Sequence, residues 1–291
     1  ELAAGDPRGA SRGARPVTDR RLTPANGRVA NVSFRGVVEA ERYVAGTPAR
    51  IAVPLADLLA GPGGPRDRQV LMGEKVAVLD RHEGFAFVQA EKDGYCGYLP
   101  EAVLGEDRAA THWVAAPATH LYREPSLKTP EAAYLTMGAR LTIVADHPRF
   151  LETADGLFAP RPHLRDLGDR AADPAAVAES FLGTPYLWGG NSRSGIDCSG
   201  LVQAALLACG IACPGDSDMQ ERTVGIALPA GTPVRRSDLL FWKGHVAMAV
   251  SPDRLIHANG FQMAVGHEGI AEAIARIAAQ GEGPVIAIRR P

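Results

Sequence analysis

The feature that most constrains the fold is a weak internal repeat in the first half of the chain. The segment 72–78 (MGEKVAV) recurs 65 residues later as 137–143 (MGARLTI), with the same glycine and the same alternating apolar positions. An Asp-Gly pair follows each copy, at residues 93–94 and 155–156. Short β-branched runs interrupted by such turns are typical of small all-β modules, so we expect two β-barrels of about 60 residues in tandem.

After Leu164 the sequence pattern changes from short β runs to a mixture of helices and strands. This pattern predicts a third, α+β domain. The 291 residues also exceed the roughly 150 of an average domain. We expect a mobile N-terminal tail (1–27), a first β-barrel with an N-terminal extension (28–106), a second β-barrel (107–168) and the α+β domain (172–291). Within the last domain the patterns predict helices at 174–182, 198–209 and 269–280, and strands at 239–242, 245–250, 254–258 and 284–289.

Composition excludes several classes of protein. Lys plus Arg total 31 and Asp plus Glu total 33, so the formal charge of −2 supplies no field that would attract nucleic acid or an anionic membrane. The apolar runs are shorter than the ~20 residues of a membrane span, and no membrane insertion is expected. The first residues lack the apolar stretch of a secretory signal, which favours the cytoplasm and leaves the periplasm or export open.

Four cysteines occur at irregular spacings, at positions 96, 198, 209 and 213. They fit neither a disulfide framework nor a CxxC-type zinc site, so we expect free thiols, and neither a metal nor another cofactor. Cys198 differs from the others because four glycines precede it and an amphipathic helix follows. At a helix N-terminus the amide groups favour a thiolate, which predicts a lowered pKa, and they can also hold an oxyanion.

A thiol nucleophile needs a base, and histidine serves as base and acid near neutral pH. His245 begins the apolar run 246–250 and His257 ends another, with residues 251–254 as the turn between them. A β-hairpin centred on that turn would place the two histidines on facing strands, a few residues from being directly opposite each other. One would then face the thiol while the other fixes its tautomer.

These motifs together resemble the NlpC/p60 family of cell-wall cysteine peptidases. The resemblance covers about residues 172–291 and rests on YLWGG (186–190), DCSGLVQ (197–203), GHVAMAV (244–250) and LIHA (255–258). It implies a papain-like α+β fold, with Cys198 as nucleophile, His245 as general base and acid, and His257 as the orienting residue. The tandem modules resemble the bacterial SH3 domains of the dipeptidyl-peptidase branch. Tyr186 is then a candidate oxyanion donor and Trp188 a candidate wall of the cleft.

That branch of the family implies a murein peptide as substrate, L-Ala-γ-D-Glu-diamino acid, cleaved after γ-D-Glu. Its free amine needs carboxylates and other acceptors, and the resemblance places Asp197, Asp216 and Ser217 there. From the first barrel, Tyr95 aligns with a tyrosine that the family lends to the site, and Glu74 is the candidate acidic residue.

The internal repeat assigns these contacts to the first barrel. The second barrel carries Ala139 and Leu157 at the positions that match Glu74 and Tyr95, and neither can bind an amine, so we expect the second barrel to serve as scaffold. The chain departs from the family pattern at Gly215, where an arginine is usual, which puts the charge of the pocket in question.

The leading hypothesis is therefore a cysteine dipeptidyl-peptidase, a monomer that acts on free murein peptides in peptidoglycan turnover and recycling. Two alternatives remain open. One is a murein-binding protein whose catalytic domain is vestigial; the other is a papain-like amidase or acyltransferase that uses the same triad on a different amide or a lipid.

Overall fold

The computed structural model describes residues 19–291, and the first eighteen residues of the predicted tail lie outside this range. The rest of that predicted tail, residues 19–27, packs against other parts of the chain. Arg20 forms an ion pair with Asp67 at 2.7 Å, and Arg21 forms one with Asp216 at 2.6 Å. The prediction of a mobile tail is therefore wrong for residues 19–27, because their arginines find buried or half-buried carboxylates that no local pattern reveals.

The chain between residues 28 and 106 is all β, as its short alternating runs predicted. Its strands are β1 (Val29–Asn31), β2 (Arg42–Val44), β3 (Thr47–Ile51), β4 (Leu55–Leu59), β5 (Arg66–Leu71), β6 (Lys75–His82), β7 (Phe85–Ala90), β8 (Cys96–Pro100) and β9 (Leu104–Glu106). Strands β3 to β9 form one antiparallel sheet in the order β5-β4-β8-β7-β6-β3-β9. Its alternate residues, among them Ile51, Leu58, Val88 and Leu99, are fully buried. We call this part the first β unit.

Residues 107–168 form a second β unit. Its strands are β10 (His112–Val114), β11 (Ala118–Tyr122), β12 (Glu131–Thr136), β13 (Arg140–Leu141), β14 (Ile143–Asp146), β15 (Phe150–Thr153), β16 (Phe158–Pro160) and β17 (Leu164–Asp166). They make a five-stranded sheet, β12-β11-β16-β15-β14, and a three-stranded sheet, β13-β10-β17. Trp113 and Met137 of this unit reach into the core of the C-terminal part of the chain.

The internal repeat has a structural basis in four glycines. Gly73 and Gly138 have φ of +77° and +91°, and the glycines of the two Asp-Gly turns, Gly94 and Gly156, have φ of +75° and +72°. Glycine adopts these left-handed conformations without steric cost. At Gly73 the two units also meet, since a Cβ there would lie 2.1 Å from the carbonyl oxygen of Arg140.

The C-terminal unit, residues 172–291, has the predicted α+β composition. Its helices are α1 (Pro174–Glu179), α2 (Cys198–Ala208), α3 (Ser217–Thr223) and α4 (Ile270–Ala279); its strands are β18 (Asn191–Ser192), β19 (Gly195–Ile196), β20 (Ile226–Ala227), β21 (Leu239–Trp242), β22 (His245–Ala249), β23 (Arg254–Asn259), β24 (Ala264–Gly269) and β25 (Ala287–Arg290). Six strands form one antiparallel sheet, in the order β20-β25-β21-β22-β23-β24. No helix within residues 19–291 is long and apolar enough to span a membrane.

The predicted elements of this unit are present, and five further ones were missed: α3, β24 and the two-residue strands β18, β19 and β20. Asp173 caps α1 by accepting the N–H of Ala175 at 3.0 Å, with Pro174 in the first turn as the sequence predicted. Helix α3 is short and polar, and β24 (AVGHEG) contains two glycines. Neither segment has the periodicity that marks a helix or a strand in a sequence.

A buried charge network joins the first β unit to helix α2. The guanidinium of Arg68, on β5, donates to Asp93 at 2.8 Å and also to the side-chain oxygen of Gln203 on α2. Gln203 in turn donates to Asp93 at 2.8 Å. The side chains of Arg68 and Asp93 are only 3% and 1% exposed. Water therefore does not reach either charge, and each is stabilised by the other. This network fixes the first β unit against the helix that begins at Cys198.

We expect Arg68→Met to lower the free energy of unfolding by about 3–5 kcal/mol, because it leaves the Asp93 carboxylate buried without its cation. The matched control is Arg81→Met, which breaks the exposed Arg81–Glu101 pair at 3.1 Å and should cost less than about 1 kcal/mol. Urea unfolding followed by circular dichroism measures both, and equal losses in the two variants would contradict the role given to Arg68.

Candidate active site

Cys198 is the first residue of α2, as predicted. The carboxylate of Asp197 caps the helix by accepting the N–H of Gly200 at 2.7 Å, and its other oxygen accepts the N–H of Gly189 at 2.9 Å. The glycines let the preceding loop approach the helix closely, since a Cβ on Gly200 would lie 2.5 Å from the carbonyl oxygen of Gly190. Loop and helix therefore hold the sulfur in one place.

In the resting site the pKa of Cys198 is raised, against the expectation of a lowered value, because burial outweighs the effect of the helix N-terminus. Burial raises the pKa of the thiol to about 12, and the neighbouring Asp197 carboxylate adds to the rise. The backbone N–H groups of Val246, Ser199 and Cys198 face the sulfur and act in the opposite direction. The thiol is therefore protonated at rest, while the donors that would stabilise a thiolate are already in place.

The two histidines lie side by side on one face of the β22–β23 hairpin. The observed pairs are Met248 with Ile256 and Ala249 with Leu255, a register that continues to put His257 opposite Ala247, two residues from His245. Residues at i and j±2 on facing strands share a face of the sheet. Accordingly, Nε2 of His245 lies 2.9 Å from Nδ1 of His257.

Two residues behind this pair carry no signal in the sequence. Glu268, at the end of β24, lies 3.1 Å from Nε2 of His257, and the guanidinium of Arg276, on α4, binds Glu268 at 2.7 and 2.8 Å. Burial lowers the pKa of His245 to about 3 and that of His257 to about 4, so both imidazoles are neutral at neutral pH. The arrangement is a continuous chain of side chains that leads from the region of Cys198 to Arg276.

The cleft beside Cys198 is bordered by the aromatic residues that the sequence predicted. Tyr186 is half-buried and Trp188 is 71% exposed on the rim. Burial, followed by the proximity of Cys198, raises the pKa of Tyr186, so its phenol keeps its proton and can donate it in a hydrogen bond. The turn before His245 consists only of Lys243 and Gly244, which leaves this side of the cleft open.

One end of the cleft carries a cluster of charged side chains. Asp216 stands at the N-cap position of α3, yet its carboxylate does not cap the helix. It instead accepts the hydroxyl of Tyr95 at 3.1 Å and a guanidinium N–H of Arg21 at 2.6 Å, both at Oδ2. Ser217, the next residue, also borders the cleft, as does Asp67 of β5.

This cluster combines several carboxylates with several guanidinium groups. Arg21 also binds Asp19 and Asp218, and Arg20 binds Asp67 through two hydrogen bonds of 2.7 and 2.8 Å. Arg222 also binds Asp218, at 2.9 Å, and Arg66 borders the same cleft. The described residues form no hydrogen bond with Oδ1 of Asp216. An ammonium ion would find an available acceptor there.

Two predicted binding residues have other partners. Glu74 lies away from the cleft, where it forms an ion pair with Lys92 at 2.6 Å and is 6% exposed, so its prediction as the acidic residue of the first barrel is wrong. Asp67 of the same β unit borders the cleft instead. Asp197 does border the cleft, but both of its oxygens accept backbone N–H groups of the loop and of α2.

The departure at Gly215 is explained by Arg68. A Cβ at position 215 would lie 1.7 Å from Nη1 of Arg68 and 3.1 Å from the ring of Tyr95. The guanidinium of Arg68 lies over that ring, 5.1 Å from its centre. A positive charge from β5 therefore occupies the space beside residue 215, and any side chain there would displace it.

Comparison with known proteins agrees with this geometry. Residues 58–104 match the bacterial dipeptidyl-peptidase Sh3 domain, and residues 183–276 match the NlpC/P60 family. The gamma-D-glutamyl-L-lysine dipeptidyl-peptidase of Bacillus subtilis is 30% identical over 220 residues, which cover 65% of this chain and 71% of that protein. The chain belongs to the NlpC/P60 family. It is a hydrolase, a cysteine peptidase with an SH3-like β domain before its catalytic domain.

Two further NlpC/P60 relatives extend the comparison. The enzyme of the same name from Bacillus cereus is 29% identical over 226 residues, covering 66% of this chain and 67% of that protein. A solved structure of an NlpC/P60 family protein from Bacillus cereus superimposes with a TM-score of 0.71 at 22% identity, over 84% of this chain and 99% of that one. That structure supports the fold. The matched Sh3 region covers the first β unit only, so an SH3 identity for the second stays a prediction.

We expect iodoacetamide to alkylate Cys198 with a rate that rises only above about pH 8, because burial keeps the thiol protonated and His245 neutral at rest. Mass spectrometry of the peptide that contains residue 198 gives the rate at each pH. His245→Ala should show the same pH dependence. A half-maximal rate below pH 7 that disappears in His245→Ala would instead show a thiolate–imidazolium pair at rest.

Proposed function

We propose that this protein hydrolyses the bond between γ-D-Glu and the diamino acid of murein peptides that carry a free N-terminal L-Ala, and releases L-Ala-γ-D-Glu. The printed names of its Bacillus relatives, gamma-D-glutamyl-L-lysine dipeptidyl-peptidase, support this substrate class. The observation that carries the proposal is the carboxylate cluster around Asp216 at one end of the cleft, a short distance along the cleft from Cys198.

The cluster suits the ammonium group of an N-terminal residue. Tyr95 and Arg21 hold Oδ2 of Asp216, and the remaining oxygen, Oδ1, is available for a substrate N–H. Asp67 and the hydroxyl of Ser217 border the same space. Because the first β unit and residues 20–21 close the cleft here, a peptide can extend only a short way past the scissile bond in this direction. This favours release of a dipeptide over cleavage within a longer chain.

The other end of the cleft is open. The residues that line it include Gly244, Asn259, Phe261 and Gln280. Trp188 borders both ends of the cleft. Phe261 is 64% exposed, so this side forms a shallow rim and not a closed pocket. The diamino acid, as the leaving group, would lie here and could continue into the remainder of the murein peptide.

The geometry supports a two-step reaction. Nδ1 of His245 takes the thiol proton while Sγ of Cys198 bonds to the γ-carbonyl carbon of D-Glu, and the carbonyl oxygen gains the negative charge. Backbone N–H groups at the start of α2, with the phenol of Tyr186, can stabilise that oxygen. His245 then returns its proton to the leaving nitrogen as the C–N bond breaks. Water adds to the thioester while His245 takes its proton, and the dipeptide is released when the C–S bond breaks and His245 returns that proton to Sγ of Cys198.

The free amine should be essential. We expect acetylation of the N-terminal L-Ala to lower kcat/KM at least about 100-fold, because the acetylated nitrogen has lost its charge and leaves Asp216 without its partner. Release of L-Ala-γ-D-Glu from peptides with L-Lys or meso-diaminopimelate is followed by chromatography. Cys198→Ala should release nothing, while Cys209→Ala, at the far end of α2, should behave as the wild type. Equal rates on free and acetylated peptides would contradict the proposal.

Asp216 and Glu74 test the assignment of the acidic residue. We expect Asp216→Asn to raise KM about 10- to 100-fold with a smaller change in kcat, because it weakens a charge-assisted hydrogen bond that ground state and transition state share. Glu74→Gln should leave KM unchanged, since that residue lies outside the cleft. Steady-state kinetics on the unblocked peptide measure both. A rise in KM for Glu74→Gln as large as that for Asp216→Asn would restore the assignment made from the sequence.

A further inference from the structure

Behind the histidine pair, an ion pair ends the chain of side chains, and its arginine, Arg276, also lines the open end of the cleft. Oε2 of Glu268 lies 3.1 Å from Nε2 of His257, and Arg276 donates through Nε and Nη2 to the two oxygens of Glu268. The side chain of His257 is fully buried, and those of Glu268 and Arg276 are 14% and 18% exposed. The carboxylate is therefore held from both sides in one orientation.

We propose that Glu268 is a positioning residue that fixes which ring nitrogen of His257 and of His245 carries the proton, so that Nδ1 of His245 is left unprotonated toward Cys198. The proposal rests on the proposed function for the roles of Cys198 and His245.

The direction of the hydrogen bonds follows from the chemistry of the carboxylate. An ionised carboxylate can only accept, so Nε2 of His257 must donate to Glu268. A neutral imidazole has one N–H, and His257 is neutral because burial lowers its pKa to about 4. Its Nδ1 must therefore accept, and the donor is Nε2 of His245, 2.9 Å away.

The hydrogen bond from His245 to His257 also fixes the tautomer of His245. His245 is neutral as well, and with its proton on Nε2 its Nδ1 has a free lone pair. That lone pair is what a base needs in order to take the thiol proton. Two neutral imidazoles by themselves can hydrogen-bond in either direction. The reversed direction would put an N–H on Nδ1 of His245 and leave the thiol without an acceptor. A group outside the pair must therefore set the direction of the hydrogen bond.

Arg276 keeps the carboxylate of Glu268 ionised. Its hydrogen bonds lower the pKa of Glu268, so the carboxylate stays ionised and acceptor-only through neutral pH. The two charges nearly cancel, and the ion pair adds little net charge behind the histidines. Its effect on the imidazoles is therefore the choice of tautomer and orientation, more than electrostatic stabilisation of an imidazolium.

Substitutions at position 268 distinguish the effect of a hydrogen-bond acceptor beside His257 from the effect of a negative charge there. Glu268→Gln can keep an oxygen toward both His257 and Nη2 of Arg276, whereas Glu268→Met has nearly the same shape and no comparable acceptor. We expect Glu268→Gln to keep at least half of the wild-type kcat and Glu268→Met to lose roughly 10- to 100-fold, as when outer partners of metal-bound histidines are removed. KM should change little in both. The exposed Glu272→Gln on α4 is the control for the helix.

A double variant excludes a simpler explanation. Glu268→Met alone strands the guanidinium of Arg276 beside the histidines, and that charge could itself reduce activity. In Glu268→Met/Arg276→Met the charge is gone and the acceptor is still missing, so the loss of kcat should persist. Thermal unfolding of each variant confirms that the comparison is made on folded protein. Recovery of wild-type kcat in the double variant would overturn the proposal.

The tautomer can be read directly from the ¹⁵N chemical shifts of labelled histidine, with His257→Gln to assign the signals. We expect a protonated Nε2 and an unprotonated Nδ1 on His257 in the wild type and in Glu268→Gln, and a mixture or the reverse in Glu268→Met. An unchanged tautomer in Glu268→Met, or equal losses of kcat in the Gln and Met variants, would overturn the proposal. The spectra need no substrate, so they test Glu268 even where the wild type fails to cleave the murein peptide.

Discussion

Every part of the site depends on the packing of helix α2 against strands β22 and β23. Leu201, Val202 and Leu206 of the helix are buried with Val246, Met248 and Ile256 of the strands in one core. Burying side chains of this size is worth roughly 1.5–3 kcal/mol each, which is enough to hold a helix end firmly against a sheet. The packing brings the first residue of α2 to the end of the hairpin where both histidines lie, so the positions of Cys198 and His245 are fixed by the hydrophobic core.

The same burial shapes the chemistry of the site. It raises the pKa of Cys198 and lowers the pKa of both histidines, which favours a neutral thiol and neutral imidazoles at rest. In a dry, neutral site the positions of individual protons matter more than net charge. This is why the carboxylate behind His257 is important, although two imidazoles separate it from the region of Cys198.

The other half of the site is electrostatic and comes from three separated parts of the chain. Arg21 precedes the first β unit, Tyr95 lies in a turn of that unit, and Asp216 begins α3, yet all three meet through hydrogen bonds of 2.6 to 3.1 Å. The formal charge of −2 for the whole protein hides this concentration of carboxylates at one end of the cleft. Recognition of a small zwitterionic peptide needs such a local cluster and no net field.

Short-range signals in the sequence predict the local elements and the candidate reacting residues. The glycines before Cys198, the amphipathic helix after it, and the turn between His245 and His257 are short-range signals, and the structure places those residues as the signals indicate. Partners chosen by tertiary contact could not be read in this way. Only the folded structure showed that Asp67 and not Glu74 borders the cleft, brought Arg21 to Asp216, and placed Glu268 behind His257. Residues far apart in sequence carry no periodicity that predicts which charge will be buried beside which.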